Sequence, residues 1–452
     1  MIGFNRKICD FFHKKRSYKC LLNFQCRILK FLAKNKLYRW LLKNLIKSIQ
    51  RRRQQLSIFD DLLINKVAVI YGANGAGKSS FVEALDFLQS YILRGFADSS
   101  QNDSIRTRFI DREIPKFIFD EEQLTAPTDF EISFIGTTGE RYQYTLSIGT
   151  DAIEAEGLWV YSKKGVRPKT IISRVYNAET NEFEYYCPSL QIDKKTYEVA
   201  IEKANNSKRS PFVSILHAYD VSQLDEFINW FRGDLIVSSN RNDDVFRMAS
   251  RYSFLDDLAD GDEQKKNKIL EFLNKFDLSI SDISVTKKNV TLPDEMPEEM
   301  KKMILSDVGF QIVLEHTTSS GIKKNIPYER LSSGTKKLFD LSGILLLCCE
   351  AGEKSVLVLD EFESSLHPYI VRAIFELMVK HSERLLQLIL TTHSNVLLDT
   401  EKLVRRDQIW FLEKNSELET VLYPLSDFAP RFEDSIIKGW DLGKFGGVPF
   451  LG

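Results

Sequence analysis

Eight residues constrain this chain more than any others: Gly72-Ala-Asn-Gly-Ala-Gly-Lys78-Ser79. They fit the pattern G-x4-G-K-[ST]. The run follows a β-branched stretch, KVAVIY over 66–71, that reads as a buried strand, and it precedes residues 79–95, which read as a helix. In that setting glycines let backbone N–H groups close around an anion, and the helix N-terminus adds its positive end. Gly72, Asn74, Gly75, Gly77, Lys78, Ser79 and Ser80 are therefore the candidate nucleotide contacts. Lys78 is expected to reach the β- and γ-phosphates, and the Ser79 hydroxyl to ligate Mg2+.

Three further segments bear on the same chemistry. Ser355-Val-Leu-Val-Leu-Asp360-Glu361 is an apolar strand ending in two acids. Alone it reads equally well as a strand followed by a solvated turn. Beside a phosphate loop, Asp360 is suited to hold Mg2+ through water and Glu361 to polarise an attacking water. Leu331-Ser332-Ser333-Gly334-Thr335 opens the apolar helix KKLFDLSGILLLCC. A Ser-Gly helix start is by itself an ordinary N-cap; its place between the other two motifs is what singles out Ser332 and Gly334. His393 follows the strand LQLILTT. A lone His is usually structural, but at the C-terminal end of a core strand, after the two acids, it is read as a γ-phosphate sensor.

These motifs, in this order, resemble the ATP-binding-cassette head of SMC-like, RecF-like and OLD-family ATPases. Asn74, the LSxG-type signature, and Asp360-Glu361 followed by Ser364-Ser365-Leu366-His367-Pro368 carry the resemblance. More narrowly, the chain is similar to the AAA-family ATPases of prokaryotic abortive-infection and anti-phage systems, the RloA-like group. The stretch FEISFIGTTGERYQYTLSIGTDAIEAEGLWVYSK, the segment SSGTKKLFDL and the terminal WDLGKFGGVP support that likeness. The resemblance covers residues 56–452 and implies an α/β P-loop NTPase with an ABC-type head. Such a head has a parallel core sheet, an antiparallel β subdomain and a helical lid.

The same resemblance implies an ATP hydrolase in which two heads sandwich two ATP molecules. Ser332 and Gly334 of one subunit would then face the γ-phosphate held by Lys78 of the other. Lys78, Glu361 and His393 would be the catalytic side chains, with Ser79 and Asp360 on Mg2+. A homodimer or higher oligomer is implied. The implied role is a sensor or regulatory subunit of a bacterial anti-phage defence system, controlling a separate effector, expected to be a nuclease. Two other functions stay open: a DNA-repair ATPase of RecF or SMC-like type, and an ATP-gated scaffold that does not hydrolyse. Nucleic acid is thus a possible partner.

Some positions depart from the pattern. Ser333 stands where transporters have Gly, and His367 where their D-loop has Asp. Gln123 is the best candidate for a Q-loop glutamine. Leu22-Asn23-Phe24 lies too far upstream to be the usual first strand, so that strand is expected to be shortened, replaced or degenerate. Only 59 residues follow His393, too few for the nuclease domain of OLD proteins. Any nuclease is therefore expected on a separate polypeptide.

Composition adds an asymmetry. The chain has 62 Lys and Arg against 63 Asp and Glu, yet residues 1–55 hold 16 basic residues and one acid. That is +15 on the first segment and −16 on the rest, which excludes a uniformly basic nucleic-acid binder but not a local one. Residues 1–55 read as a basic amphipathic helical extension, to be packed on another subunit, an anionic surface or solvent. The expected organisation continues with an N-terminal ATPase lobe (56–127) and an antiparallel β subdomain (128–190). A mainly helical insertion or lid (191–320) and a C-terminal lobe (321–452) complete it. The longest uncharged stretch, Leu385–Leu398, is shorter than the roughly 18 residues a membrane span needs. The six Cys show no zinc or disulfide spacing, which fits a reducing, cytoplasmic setting.

Overall fold

The computed structural model describes residues 55–59, 62–96, 114–116, 119, 124–162, 167–239, 253–276, 279–293, 301, 304–305, 308–350, 355–380, 385–399, 403–431 and 434–448. The basic segment 1–54 and Gln123 lie outside the described residues. The chain divides into two compact units. One comprises Glu83–Leu235 and Lys414–Leu422 with the segment ending at Asn65; the other comprises Lys66–Val82, Ile236–Glu413 and the segment from Tyr423.

A six-stranded sheet has the order β16-β15-β3-β14-β13-β9. Its strands are β3 (Val67–Gly72), β9 (Leu235–Ser238), β13 (Ser355–Leu359), β14 (Leu385–Thr392), β15 (Ile409–Lys414) and β16 (Thr420–Pro424). β15, β3, β14 and β13 run parallel. Every residue of β3 and β13 is buried, as expected of parallel strands covered on both faces. Because neighbours are parallel, the turns leaving β3, β14 and β13 emerge at the same edge. β14 lies between β3 and β13, so the turn leaving β14 sits between the turns leaving the other two. Ligands of open α/β sheets collect at that carboxyl edge.

Helices cover this sheet with apolar stripes. In α7 (Pro368–Lys380), Val371, Ile374, Phe375 and Met378 are buried, the i, i+3, i+4, i+7 pattern of one helix face. In α6 (Ser333–Glu350) the buried face begins with Leu338, Phe339 and Leu341. Both meet Val69, Leu357, Leu359, Leu388 and Leu390 from the sheet in one core. The same unit carries α5 (Glu263–Asn274) and a three-stranded antiparallel sheet of β10 (Ile280–Lys287), β11 (Phe310–Thr317) and β12 (Lys323–Pro327). A mainly helical segment was expected over 191–320, which holds β10 and β11. Ile280, Ile283 and Val285 are the buried residues of β10, and a register shift between Ile280 and Asp282 breaks the strict alternation that announces a strand.

The other unit is built on a five-stranded antiparallel meander: β4 (Thr128–Ile135), β5 (Arg141–Ile148), β6 (Ile153–Tyr161), β7 (Lys169–Asn177) and β8 (Glu182–Tyr185). Its period-two pattern is the one read from the sequence over 128–175. α2 (Lys194–Asn206), α3 (Phe212–Ala218) and α4 (Asp225–Asn229) come after it in the chain. Phe134 stacks on Trp230 with centroids 3.9 Å apart, and Phe87 stacks on Phe130. This apolar core encloses a buried polar cluster. Glu156 and Arg174 form an ion pair at 2.8 Å with neither side chain exposed. Glu156 also accepts from Tyr144 Oη and from the backbone N–H groups of Phe212 and Val213, which open α3. Arg174 donates to the Ser210 carbonyl. A hairpin of β1 (Gln55–Phe59) and β2 (Leu62–Asn65) precedes β3, where the first strand was expected to be shortened, replaced or degenerate.

Candidate functional site

The phosphate loop spans the turn from β3 to α1 (Lys78–Arg94). Gly75 and Gly77 take φ of +78° and +101°, a region open to glycine at little cost. A Cβ at Gly72 would stand 2.9 Å from the Leu412 carbonyl oxygen and 3.1 Å from Ala76 Cβ, so this position needs glycine for close approach. Asn74, Gly75, Ser79 and Ser80 are exposed, whereas Lys78 is buried. The Lys78 ammonium donates to the carbonyls of Gly72 (2.9 Å) and Ala73 (3.2 Å) and lies 3.6 Å from Glu361 Oε1. Lys78 is thus poised within its own loop, with an acid from the end of β13 beside it.

The two acids after β13 are held by β14. Thr391 Oγ1 donates to Asp360 Oδ1 at 2.5 Å and accepts the Glu361 N–H at 2.9 Å. Asp360 N–H donates to the Ser238 carbonyl. Glu361 has φ of +40°, the left-handed region, which a non-glycine residue occupies only when its surroundings enforce it. The Thr391 hydroxyl is one of the groups that do so. The next threonine serves the next acid: Thr392 Oγ1 donates to Glu363 Oε1 at 2.7 Å, and His393 N–H donates to the same oxygen at 2.9 Å. His393 Nδ1 lies 3.3 Å from Glu363 Oε1 and 4.0 Å from Glu361 Oε1. Lys78, Asp360, Glu361 and His393, singled out in sequence, therefore converge at one sheet edge.

Among the described residues, Asp360 Oδ2 is buried with no hydrogen-bond partner. An unpaired buried carboxylate oxygen is costly unless a cation takes it up, so the residues fit Mg2+. Among the described residues, no group of three or more His, Cys, Asp or Glu could hold a metal ion by itself. Mg2+ held by one carboxylate, a Ser hydroxyl, water and substrate phosphates meets that restriction.

Ser332 and Gly334 lie at the start of α6. Ser332 Oγ accepts the Thr335 N–H at 3.1 Å, an N-cap, and Ser332 is exposed. A Cβ on Gly334 would stand 2.9 Å from the Ser365 carbonyl oxygen, which places this glycine against the turn after Glu361.

Sequence reasoning missed three contributors, and it noted the segment that holds a fourth, Trp440, without placing it at the site. Glu363, Thr391 and Thr392 carry no motif signal of their own. Trp440 lies in α8 (Ile436–Asp441) and packs edge-on against Tyr71, the residue before Gly72, with centroids 5.9 Å apart. Burial pushes the Tyr71 hydroxyl well above its usual value, and the negative charge of Glu363 adds to the shift. A Cβ on Gly447, at φ +68°, would reach Phe411 at 3.1 Å and Gly72 Cα at 3.8 Å. The aromatic and glycine-rich C-terminal segment thus lies under the base of the phosphate loop.

Against protein-family models, residues 67–399 match the family described as "AAA domain, putative AbiEii toxin, Type IV TA system". The chain belongs to this AAA family. The match spans well over half of the chain and takes in the phosphate loop, Ser332 and Gly334, both acids and His393. It identifies an ATPase-type P-loop fold. No curated protein matches the sequence. Among solved structures, the chain is similar to an Smc head bound to the C-winged helix domain of ScpA, with 14% identity, TM-score 0.36, 81% of this chain and 93% of that chain. It is also similar to the SMC head domain from Thermotoga maritima, with 12% identity, TM-score 0.29 and coverages of 82% and 97%. Likenesses this distant say nothing of what the AAA chain binds. No helix among its described residues is long and apolar enough to cross a membrane.

Proposed function

We propose that this chain binds ATP with Mg2+ and hydrolyses the β–γ bond in a sandwich of two copies. The supporting observation is the 3.6 Å approach of the buried Lys78 ammonium to Glu361, with His393 4.0 Å from the same carboxylate. Backbone N–H groups of the glycine loop and Lys78 receive the phosphates. Glu361, held at its strained φ by Thr391, orients water for in-line attack on the γ-phosphorus. His393 contacts the γ-phosphate from the neighbouring strand end. Mg2+, when held by Ser79 and Asp360, offsets phosphate charge. Ser332 and Gly334, at the N-terminus of α6, meet the γ-phosphate of the partner copy with free N–H groups.

ATP-dependent pairing makes the protein a switch. The matching family is described as a putative AbiEii toxin of a Type IV TA system; the role we infer beside it is that of a sensor or regulatory subunit of an anti-phage system that acts through a separate effector, a nuclease being the expected class. The test is a Glu361→Gln protein co-purified with the products of its neighbouring genes, with and without ATP. A nuclease retained only with ATP supports the reading. Wild-type protein that neither binds nor hydrolyses ATP overturns it.

A further inference from the structure

Glu363 is buried, charged and outside the motif that names its neighbours. Its Oε1 gathers the Thr392 hydroxyl at 2.7 Å, the His393 N–H at 2.9 Å and His393 Nδ1 at 3.3 Å. Among the described residues its Oε2 is buried without a partner. Burying a carboxylate costs far more than a strand-end cap returns. A cap for one N–H and one hydroxyl needs no charge either, since any neutral oxygen would serve.

His393, in contrast, is held by little else. It is half exposed, at 51%, and lines an open cleft of about 470 Å³ together with Glu363, Ser365, Asn395 and Trp440. Packing among the described residues therefore leaves one face of its ring uncovered. Of its two ring nitrogens, Nδ1 faces Glu363, so Nε2 is the one left for another group.

We propose that Glu363 is the positioning residue for His393. Its carboxylate fixes the backbone N–H and the ring Nδ1 together, so that Nε2 is presented to the γ-phosphate in one orientation. This deepens the ATPase reading and rests on it. The two contacts to one oxygen couple ring rotation to backbone placement at the end of β14. Thr392 completes the clamp from the same strand.

The test is a double-mutant cycle of Glu363→Ala and His393→Ala, read as kcat and KM for Mg-ATP in the full chain. Glu363→Ala is expected to lower kcat by up to about 100-fold, the scale of a misplaced catalytic group, with KM changed by less than about twofold. The double variant should be no slower than His393→Ala alone. Glu363→Gln, which keeps a neutral acceptor for both N–H groups and the hydroxyl, should recover part of kcat. Thermal melting reports folding; if Glu363→Ala melts early, Thr392→Val with His393→Ala closes the same cycle. Losses that multiply in the double variant, or a kcat untouched by Glu363→Ala or by His393→Ala, overturn the positioning role while leaving the ATPase standing. A wild-type protein without ATP hydrolysis overturns the ATPase reading itself, and is seen before any Glu363 variant is made.

Discussion

The Lys78 ammonium, donating to two carbonyls of its own loop, stands 3.6 Å from the carboxylate of Glu361, a residue on a different strand end. One side chain is suited to hold phosphate and the other to orient water, so their removal should have separable effects. Glu361→Gln should retain ATP affinity and slow hydrolysis by on the order of 10²–10⁴-fold, the usual range for a general base. Lys78→Ala should lose ATP affinity first. Phosphate release and equilibrium binding of a fluorescent ATP analogue check this; a Glu361→Gln protein that turns over like wild type removes Glu361 from the chemistry.

Two loop glycines are needed for different reasons, and the difference is measurable. At Gly75 the space around a Cβ is empty but φ is +78°. Gly75→Ala should therefore cost only the left-handed penalty of roughly 1–2 kcal/mol. At Gly72 a Cβ meets backbone, the Leu412 oxygen at 2.9 Å, which has no rotamer to yield. Gly72→Ala should displace the loop and weaken ATP binding more than Gly75→Ala does. Titrations of the two variants that give the reverse order would count against loop geometry as the cause.

What the sequence made legible was local. The phosphate loop, the strand before Asp360 and the strand before His393 each show in a single run of residues. The order β3-β14-β13 then brings Lys78, Glu361 and His393 to one edge. What stayed hidden was long-range. Glu363 reads as one more acid in a turn until Thr392 and His393, some 30 residues on, are seen to donate to it. Thr391 and Thr392 read as strand filler, although consecutive residues of a strand point to opposite faces and each reaches a different acid. The pairing of Tyr71 with Trp440 joins residues far apart in the chain, which no local pattern records. Strand β10 escaped for another reason: its buried residues, Ile280, Ile283 and Val285, do not alternate strictly.

The antiparallel unit should be sensitive to the loss of either partner of the buried pair Glu156–Arg174. Glu156 holds Arg174, Tyr144 and the first N–H groups of α3 at once. Glu156→Ala leaves the guanidinium buried without its acid, at an expected cost on the order of 3–5 kcal/mol. Replacing both, as Glu156→Leu with Arg174→Met, should cost less than Glu156→Ala. Denaturant midpoints of the two proteins decide it.

Glu226 should give the same unit an acid-sensitive latch. Partial burial disfavours its charge, but the Thr138 N–H, the Tyr142 hydroxyl and the hydroxyls of Thr138 and Thr137 together outweigh this and hold its carboxyl below the usual value of 4.5. A depressed folded value means stability that is fully present above 4.5 and lost as pH falls through the lower folded value. Burial, and then the hydrogen bond to Glu226, raise the Tyr142 hydroxyl, so its contribution is present below 10 and lost at higher pH. Melting temperatures across the acid range should fall less steeply for Glu226→Gln than for wild type. Parallel curves would remove the latch.

Pairing of two copies can be tested at Ser332 without disturbing the fold. Its hydroxyl oxygen caps α6 through the Thr335 N–H, and Asp caps as well as Ser does. Ser332→Asp should therefore melt like wild type while placing a carboxylate where the proposed sandwich puts a partner's γ-phosphate. ATP binding by the single copy should persist, and ATP-dependent dimerisation should vanish in light scattering. Mixing it with Lys78→Ala gives one composite site in which an intact Lys78 faces an intact Ser332. Hydrolysis that appears on mixing, and that neither variant shows alone, supports the sandwich. A Ser332→Asp protein that stays monomeric with ATP yet turns over at the wild-type rate would place all of the chemistry within one copy.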